Sequence, residues 1–458
     1  MGPETEVMKN SQSMWRLLGA AVSFALLAPS ARAEKLDLDV SVANPVVLAD
    51  QKTTTYVKVG LTGFALPEED ARPPVNVAIV LDKSGSMNGE KIERAREAAK
   101  QAVSRLGPQD IVSIVTYDTN VQVLTPATKV SDIEAIHAAI NRIGASGSTA
   151  LFAGVSKGAA ELRKFLERER VNRVVLLSDG IANVGPSSPQ ELGELGGALS
   201  EEGMAVSTIG LGLDYNEDLM TRLAKSSDGN HYFVESPSDL PRIFDQEFGD
   251  TMSVVAQEIT VTIRCQPGVR PVRTLGRDAD ISGQEVRAAI QQVYSERQQY
   301  VLLEVEIPAG AVGTSRVVAD VDVQYANMIS HSAERLAGGV SVRYSDSESE
   351  VSDSVDSDVM VASVMQIAVI NNDKAIWLRD QGRIEEARAL LIQNGDYLGD
   401  NFARFKAVAL DNYAKENRFS SENLSDAQWL ELRKRNAYNN NAILQNQPSD
   451  FSIGDKKE

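Results

Sequence analysis

The sequence predicts an α/β protein: a doubly wound, mostly parallel sheet flanked by an all-β module and a C-terminal helical region. Three observations carry that expectation. From residue 75 to residue 250, near-continuous apolar runs of strand length alternate with segments of helical period, as in a parallel sheet covered on both faces. On either side, over residues 35–66 and 255–344, apolar and polar residues alternate with the period of half-buried strands. From Val359 onwards the pattern is helical.

These shifts divide the chain into residues 1–33 as a signal peptide, 34–72 as an N-terminal β segment, 73–250 as the α/β domain, 251–344 as a β-rich domain, 345–358 as an acidic linker and 359–458 as a helical region. A chain of 458 residues is too long for one ordinary core, so several domains are expected. Leu17 to Ala28 is an apolar run of signal-peptide length, preceded by Arg16 and followed by Ala31-Arg32-Ala33, an A-x-A cleavage pattern. The mature chain is then expected to begin at Glu34. Glu4 and Glu6 are unusual in a positively charged leader, which leaves Met8 and Met14 as alternative starts.

The segments LDLDVSV and TTTYVKVGLTGF read as strands separated by the turn-like Asn44-Pro45, and Ala71-Arg72-Pro73-Pro74 reads as a linker. Val75 to Leu81 (VNVAIVL) is apolar throughout, as in a strand buried on both faces. Gly89 to Leu106 follows with Ile92, Ala95, Ala99, Val103 and Leu106 on one helical face. Ile111 to Tyr117 and the shorter Val121 to Leu124 are strands; a helix capped by Ser131 runs to about Ile143, and another opens at Thr149 and runs to about Arg168. Arg173 to Ser178 is a strand, Pro189 to Glu202 a helix with proline in its first turn, Ala205 to Leu211 a strand, Asn216 to Ala224 a helix, His231 to Val234 a strand and Leu240 to Phe248 a helix.

The strands EITVTI, YVLLEVEI, SRVVADVDVQY and GVSVRY form the β module, expected to share a sheet with residues 35–66 around the inserted α/β domain. Residues 345–358 carry six acids and no base and read as a solvated linker, with a weak calcium-binding tract as the rarer alternative. Two helix pairs are expected in the tail, one meeting at Gly382 and one formed by Phe402 to Lys415 and Asp426 to Ala437, with the asparagine-rich stretch after Tyr438 frayed.

Bulk composition narrows the functions. The net charge of −18 repels phosphate backbones and anionic headgroups, so neither nucleic acid nor a membrane surface is an expected partner. The lone Cys265 allows no intrachain disulfide and reads as a small buried hydrophobe. Val359 to Ile370, the best apolar run after the leader, is too short to cross a bilayer and reads as a core helix.

The chemistry-bearing residues lie at strand ends, where open α/β sheets bind ligands. VNVAIVL runs directly into Asp82-Lys83-Ser84-Gly85-Ser86, a carboxylate and two hydroxyls spaced two apart. Thr149 stands in the loop Ser146-Gly147-Ser148-Thr149, and Asp179 ends the strand RVVLLS. All are hard oxygen donors, suited to Mg²⁺, Ca²⁺ or Mn²⁺ and poor at selecting zinc or copper. Asp118 ends another strand as either a supporting residue or a turn cap; Asp214 reads as a turn residue or helix cap. His137, His231 and His331 share no metal-binding spacing; His137 is expected exposed and His231 packed.

The set D-x-S-x-S, the threonine of G-S-T-A-L and the aspartate of S-D-G, in that order on a Rossmann-like doubly wound domain, resembles the metal-ion-dependent adhesion site of von Willebrand factor A (VWA) domains over Val75 to Asp250. The resemblance implies Ser84, Ser86 and Thr149 as direct ligands of a divalent cation, with Asp82 and Asp179 binding directly or through water. Mg²⁺ is the expected ion. It further implies a protein partner whose Glu or Asp carboxylate completes the shell, as in exported bacterial VWA proteins of the periplasm or extracellular space. An alternative reading is a cytoplasmic assembly factor partnering an AAA+ ATPase. The sequence has no G-x-S-x-G, H-E-x-x-H or P-loop motif, and no enzyme activity is expected, a metal-dependent hydrolase being the remote alternative.

Overall fold

The central strand β4 (Val75–Asp82) is buried at every residue and feeds its side chains alternately to two cores. Val77, Ile79 and Leu81 pack on one face, Ala78 and Val80 on the other. The structure, a computed structural model, describes residues 34–66 and 72–447, so the leader and the cleavage pattern lie outside the described residues. Around β4 the α/β sheet has the order β6-β5-β4-β7-β8-β9, formed by β5 (Ile111–Tyr117), β6 (Val121–Lys129), β7 (Val171–Ser178), β8 (Met204–Leu211) and β9 (His231–Val234). Every pairing is parallel except β5 with β6. Pro126 lies in β6, which is an edge strand and tolerates the lost donor.

Helices α1 (Glu90–Ser104), α2 (Ile133–Asn141) and α6 (Leu240–Met252) cover one face; α3 (Leu151–Leu162), α4 (Pro189–Glu201) and α5 (Glu217–Ser226) cover the other. The doubly wound expectation therefore holds. Two starts and one end differ from the sequence reading: Asp132, not Ser131, caps α2 through the Ala135 amide at 2.9 Å, and α3 begins at Leu151, two residues past Thr149, and ends at Leu162, short of Arg168.

The β module is a two-sheet sandwich interrupted by the α/β domain. One sheet has the order β1-β3-β14-β11, from β1 (Asp37–Val42), β3 (Thr53–Thr62), β14 (Gln298–Ile307) and β11 (Arg270–Leu275). The other runs β12-β13-β10-β15-β16-β2, from β12 (Ala279–Ser282), β13 (Glu285–Tyr294), β10 (Val254–Cys265), β15 (Ser315–Asn327), β16 (Ser332–Ser345) and β2 (Val46–Leu48). β3 pairs with β14 along ten residues, so segments on either side of the α/β domain share a sheet as expected. Val57 and Val59 of β3 meet Val261 of β10 and Val323 of β15 in the shared core. Cys265 is buried there, and burial pushes its thiol up to about 11.

Beneath the α/β sheet, Arg173 of β7 is fully buried and joins the two modules. It donates to Ser207 at 2.8 Å, to Tyr294 of β13 at 3.2 Å and to Gln292, and meets Glu247 of α6 at 3.2 Å. Burial opposes its charge, but Tyr294 and Glu247 raise its pKa above the ordinary arginine value.

The tail departs from the sequence reading in three places. Residues 345–358 are not merely a solvated linker: α7 (Glu348–Asp353) is capped by Ser347, and Asp356 caps α8 (Ser357–Asp380) through two amides at 3.0 Å. Carboxylates at helix starts find unsatisfied amides, so an acidic run can cap rather than uncoil. The helix expected over Phe402 to Lys415 is broken at Lys406, which has φ +57°, leaving α9 (Ile384–Phe405) and α10 (Val408–Glu422). The asparagines after Tyr438 do not fray; α11 (Asp426–Leu444) continues through buried Asn439, Asn440 and Asn441. Among the described residues, no helix is long and apolar enough to cross a membrane.

Candidate functional site

At the carboxyl end of β4 the chain must leave the sheet, and Asp82 is the last strand residue. Its Oδ1 accepts the Ser84 amide and its Oδ2 the Ser178 hydroxyl, both at 2.8 Å. These two bonds hold a wholly buried carboxylate in place. A tight turn over Gly85–Met87 then brings Ser86 back toward Ser84, their hydroxyl oxygens 3.0 Å apart. Gly85 donates its amide to the Gly147 carbonyl at 3.0 Å, and Ser146 donates to the Lys83 carbonyl at 2.7 Å. The first loop is thereby zipped to the loop carrying Thr149. Gly147 has φ +76°, and a side-chain carbon there would lie 2.9 Å from Thr119 Oγ1, so both conformation and space demand glycine.

Asp179 follows β7 and is also wholly buried. Its Oδ1 accepts the Ser86 hydroxyl at 2.7 Å and its Oδ2 the Lys91 ammonium at 2.6 Å. Thr149 is held from behind by its amide, which donates to Asn183 at 2.9 Å. The five residues expected from the sequence thus come together.

Gly180 reveals how the oxygens converge. A carbon built on its Cα would lie 3.1 Å from Thr149 Oγ1, 3.4 Å from Ser86 Oγ and 3.9 Å from Ser84 Oγ. Three hydroxyls from two loops therefore bracket one small space, which glycine leaves clear. Burial pushes Asp82 up to about 6 against the opposing bonds from Ser84 and Ser178, and the neighbouring Asp179 adds to the rise. A cation beside Asp82 would supply the charge stabilisation that burial removes. The donor set is all oxygen and fits a hard divalent ion. Among the described residues there is no cluster of three or more His, Cys, Asp or Glu of metal-binding geometry; this centre has two carboxylates and otherwise hydroxyls.

Asp118 supports the site without entering it. It receives Lys83, the Ser146 hydroxyl at 3.1 Å and the Asn120 amide at 2.7 Å, and its pKa is lowered because these donors outweigh its desolvation. Asp214 is exposed; Asn216, not Asp214, caps α5. His137 is half-buried against the Lys100 carbonyl at 3.1 Å, whereas His231 is packed inside as expected. Sequence reading missed Lys91, Ser178 and Asn183. Ser178 is adjacent to Asp179 and could have been suspected; Lys91 and Asn183 carry no local pattern and reach the site only through the fold.

Comparison with known proteins agrees with this architecture. The von Willebrand factor type A domain family matches residues 76–246. An uncharacterized protein of Synechocystis is 28% identical over 269 residues, 56% of this chain and 63% of its own length. The uncharacterized protein YfbK of Escherichia coli K12 is 30% identical over 225 residues, 48% of this chain and 39% of its own. The chain thus spans less than two thirds of either relative. Among solved structures, a von Willebrand factor type A protein from Catenulispora acidiphila superposes with a TM-score of 0.68 at 15% identity, covering 85% of this chain and 90% of that one. The ArnB paralog VWA2 from Sulfolobus acidocaldarius gives 0.59 at 18% identity, covering 89% and 98%. These likenesses reach well beyond residues 76–246, so they extend to the fold of the flanking modules. Residues 76–246 of this chain thus form a von Willebrand factor type A domain.

Proposed function

We propose that the protein is a metal-dependent protein-binding module acting outside the cytoplasm. A divalent cation, Mg²⁺ in the first instance, is held by Ser84, Ser86 and Thr149 with Asp82 and Asp179, and an acidic side chain of a partner completes its shell. The observation that carries this reading is the convergence of three hydroxyl oxygens within 3.1–3.9 Å of one point beside two buried carboxylates. Two apolar side chains flank the same end of the sheet: Ile181, 61% exposed, two residues past Asp179, and Leu213, 37% exposed, two past β8. An apolar rim around a polar, charge-bearing centre suits protein docking. In this reading the ion carries a carboxylate and not an activated water, so the chain is a binding protein and not an enzyme.

Export rests on the apolar run Leu17 to Ala28 and the cleavage pattern Ala31-Arg32-Ala33. Two experiments test the proposal. Capture from envelope extract with wild-type and Asp82→Ala protein, each with and without EDTA, should give a partner band only with an intact site and free metal; a band indifferent to both would sink the metal-dependent reading. Amino-terminal sequencing of protein recovered from cell fractions should find Glu34 first in the envelope or medium, and an intact leader in the cytoplasm would overturn export.

A further inference from the structure

Lys91 stands in the first turn of α1, where the helix dipole disfavours a cation and where its neighbours Glu90 and Glu93 are acidic. Something other than helix stability holds its ammonium. That partner is Asp179, whose Oδ2 lies 2.6 Å from Lys91 Nζ while Ser86 occupies Oδ1 at 2.7 Å. The carboxylate is completely buried and the lysine only 26% exposed, so the pair is shielded from most solvent. On its other side the ammonium meets Gly212, at the end of β8, where an added carbon would lie 3.8 Å from Nζ.

The charges of the centre are unevenly matched. Asp82 receives only neutral donors, Ser84 and Ser178. Lys83, next in sequence, turns away to Asp118. Lys91 is therefore the one cation paired to either carboxylate of the centre among the described residues. Two carboxylates and one ammonium leave the centre with a single net negative charge; a divalent ion turns that into a single net positive one. One external carboxylate then brings it to neutrality.

We infer that Lys91 sets both affinities of the centre: it opposes the divalent cation electrostatically, and it creates the surplus positive charge that makes the loaded centre bind a carboxylate. This rests on the metal-site reading proposed above. Ion and acidic partner then bind cooperatively, because each corrects the charge imbalance left by the other. Removing the ammonium should tighten the ion and loosen the carboxylate, opposite directions that a purely structural role for Lys91 would not produce.

The test is titration of the purified full chain with Mn²⁺ by calorimetry, with and without acetate as the carboxylate probe. Lys91→Met should bind Mn²⁺ roughly tenfold more tightly than wild type at low salt, and acetate should enhance its Mn²⁺ affinity less. Lys91→Arg, which keeps the charge, should behave as wild type in both respects. Lys157→Met, on the exposed surface of α3, controls for loss of one charge at a distance. Circular dichroism checks folding, and Lys91→Gln replaces the methionine variant if that fails. If Mn²⁺ binding is lost in Asp82→Ala but is unchanged or weaker in Lys91→Met and Lys91→Gln, this inference alone is overturned. If wild type binds no Mn²⁺, the metal-site reading falls and the inference with it.

Discussion

Lys434 of α11 reaches Glu217 at the start of α5 and closes a 2.5 Å ion pair in which the lysine is 1% exposed. The same ammonium donates to the Tyr215 carbonyl at 2.7 Å and lies over the Tyr215 ring. Beside it, Arg433 bridges Glu217 at 2.5 Å, Asp218 at 2.8 Å and Asp380 of α8 at 2.8 Å. The tail is thus bolted to the VWA domain by a charge cluster on the segment that follows β8. Breaking a buried pair leaves its partner uncompensated, so Lys434→Met should cost about 3–5 kcal/mol. The first transition in guanidinium unfolding should move to lower denaturant, and Lys434→Met with Glu217→Leu should recover part of the loss.

His231 is packed under this cluster, its ring 2.8 Å from Thr208 Oγ1 and 3.4 Å from the Tyr215 hydroxyl. Burial lowers its pKa to about 3, with Glu217 pulling upward and Lys434 downward. The unfolded chain takes up this proton near pH 6.5, the folded chain near 3, so stability declines as pH falls through that window. The expected loss at pH 5 is about 2 kcal/mol relative to pH 7.5. Urea unfolding of wild type and His231→Gln at both values checks it; an equal loss in the variant would exclude His231 as the source.

Gly180 leaves open the space between three hydroxyls. Gly180→Ala would put a methyl 3.1 Å from Thr149 Oγ1 and 3.4 Å from Ser86 Oγ, inside the space those hydroxyls bracket and with no backbone atom among its near contacts. Mn²⁺ affinity should fall by roughly tenfold or more while the melting temperature without metal stays within a few degrees. Unimpaired metal binding in this variant would place the ion elsewhere.

Ile181 contributes exposed apolar surface beside the centre without touching its oxygens. Ile181→Asp should weaken capture of the partner by roughly tenfold, through lost apolar contact and added repulsion of an acidic ligand, yet leave Mn²⁺ affinity nearly unchanged. Loss of both together would mean that the loop, not the contact, had been damaged.

In the helical tail, Asn417 of α10 accepts from Asn372 and Asn394, each at 3.0 Å, in a fully buried position. Asn417→Ala removes the acceptor and strands two amides, which should cost about 2–4 kcal/mol. Protection of tail amides against hydrogen exchange should drop across α8, α9 and α10 together.

This asparagine network shows where reading the chain alone fell short. Polar residues at the end of a chain read as frayed because sequence pattern counts apolar burial. Asn440 is instead buried by donating to Asn372 at 3.0 Å and to Asp373 at 2.6 Å on α8. The partner lies 68 residues away, so no local window contains the reason. The acidic stretch at 345–358 erred the same way: its charge was legible, its use of Asp356 as a helix cap was not.

The sequence by itself determined the strand-and-helix alternation of the VWA domain, the split β module and the five oxygen-bearing residues that converge at the end of the sheet. It could do so because apolar runs, strand ends and the loops that follow them are local properties of the chain. Only the tertiary structure decided which cations answer which carboxylates. Lys91 and Asp179 are 88 residues apart, Lys434 and Glu217 are 217 apart, and Arg173 joins Glu247 through the floor of the sheet. An ion pair acts over a few ångströms between the ends of long side chains, so its membership is set by how helices and loops pack and not by where residues fall in the chain.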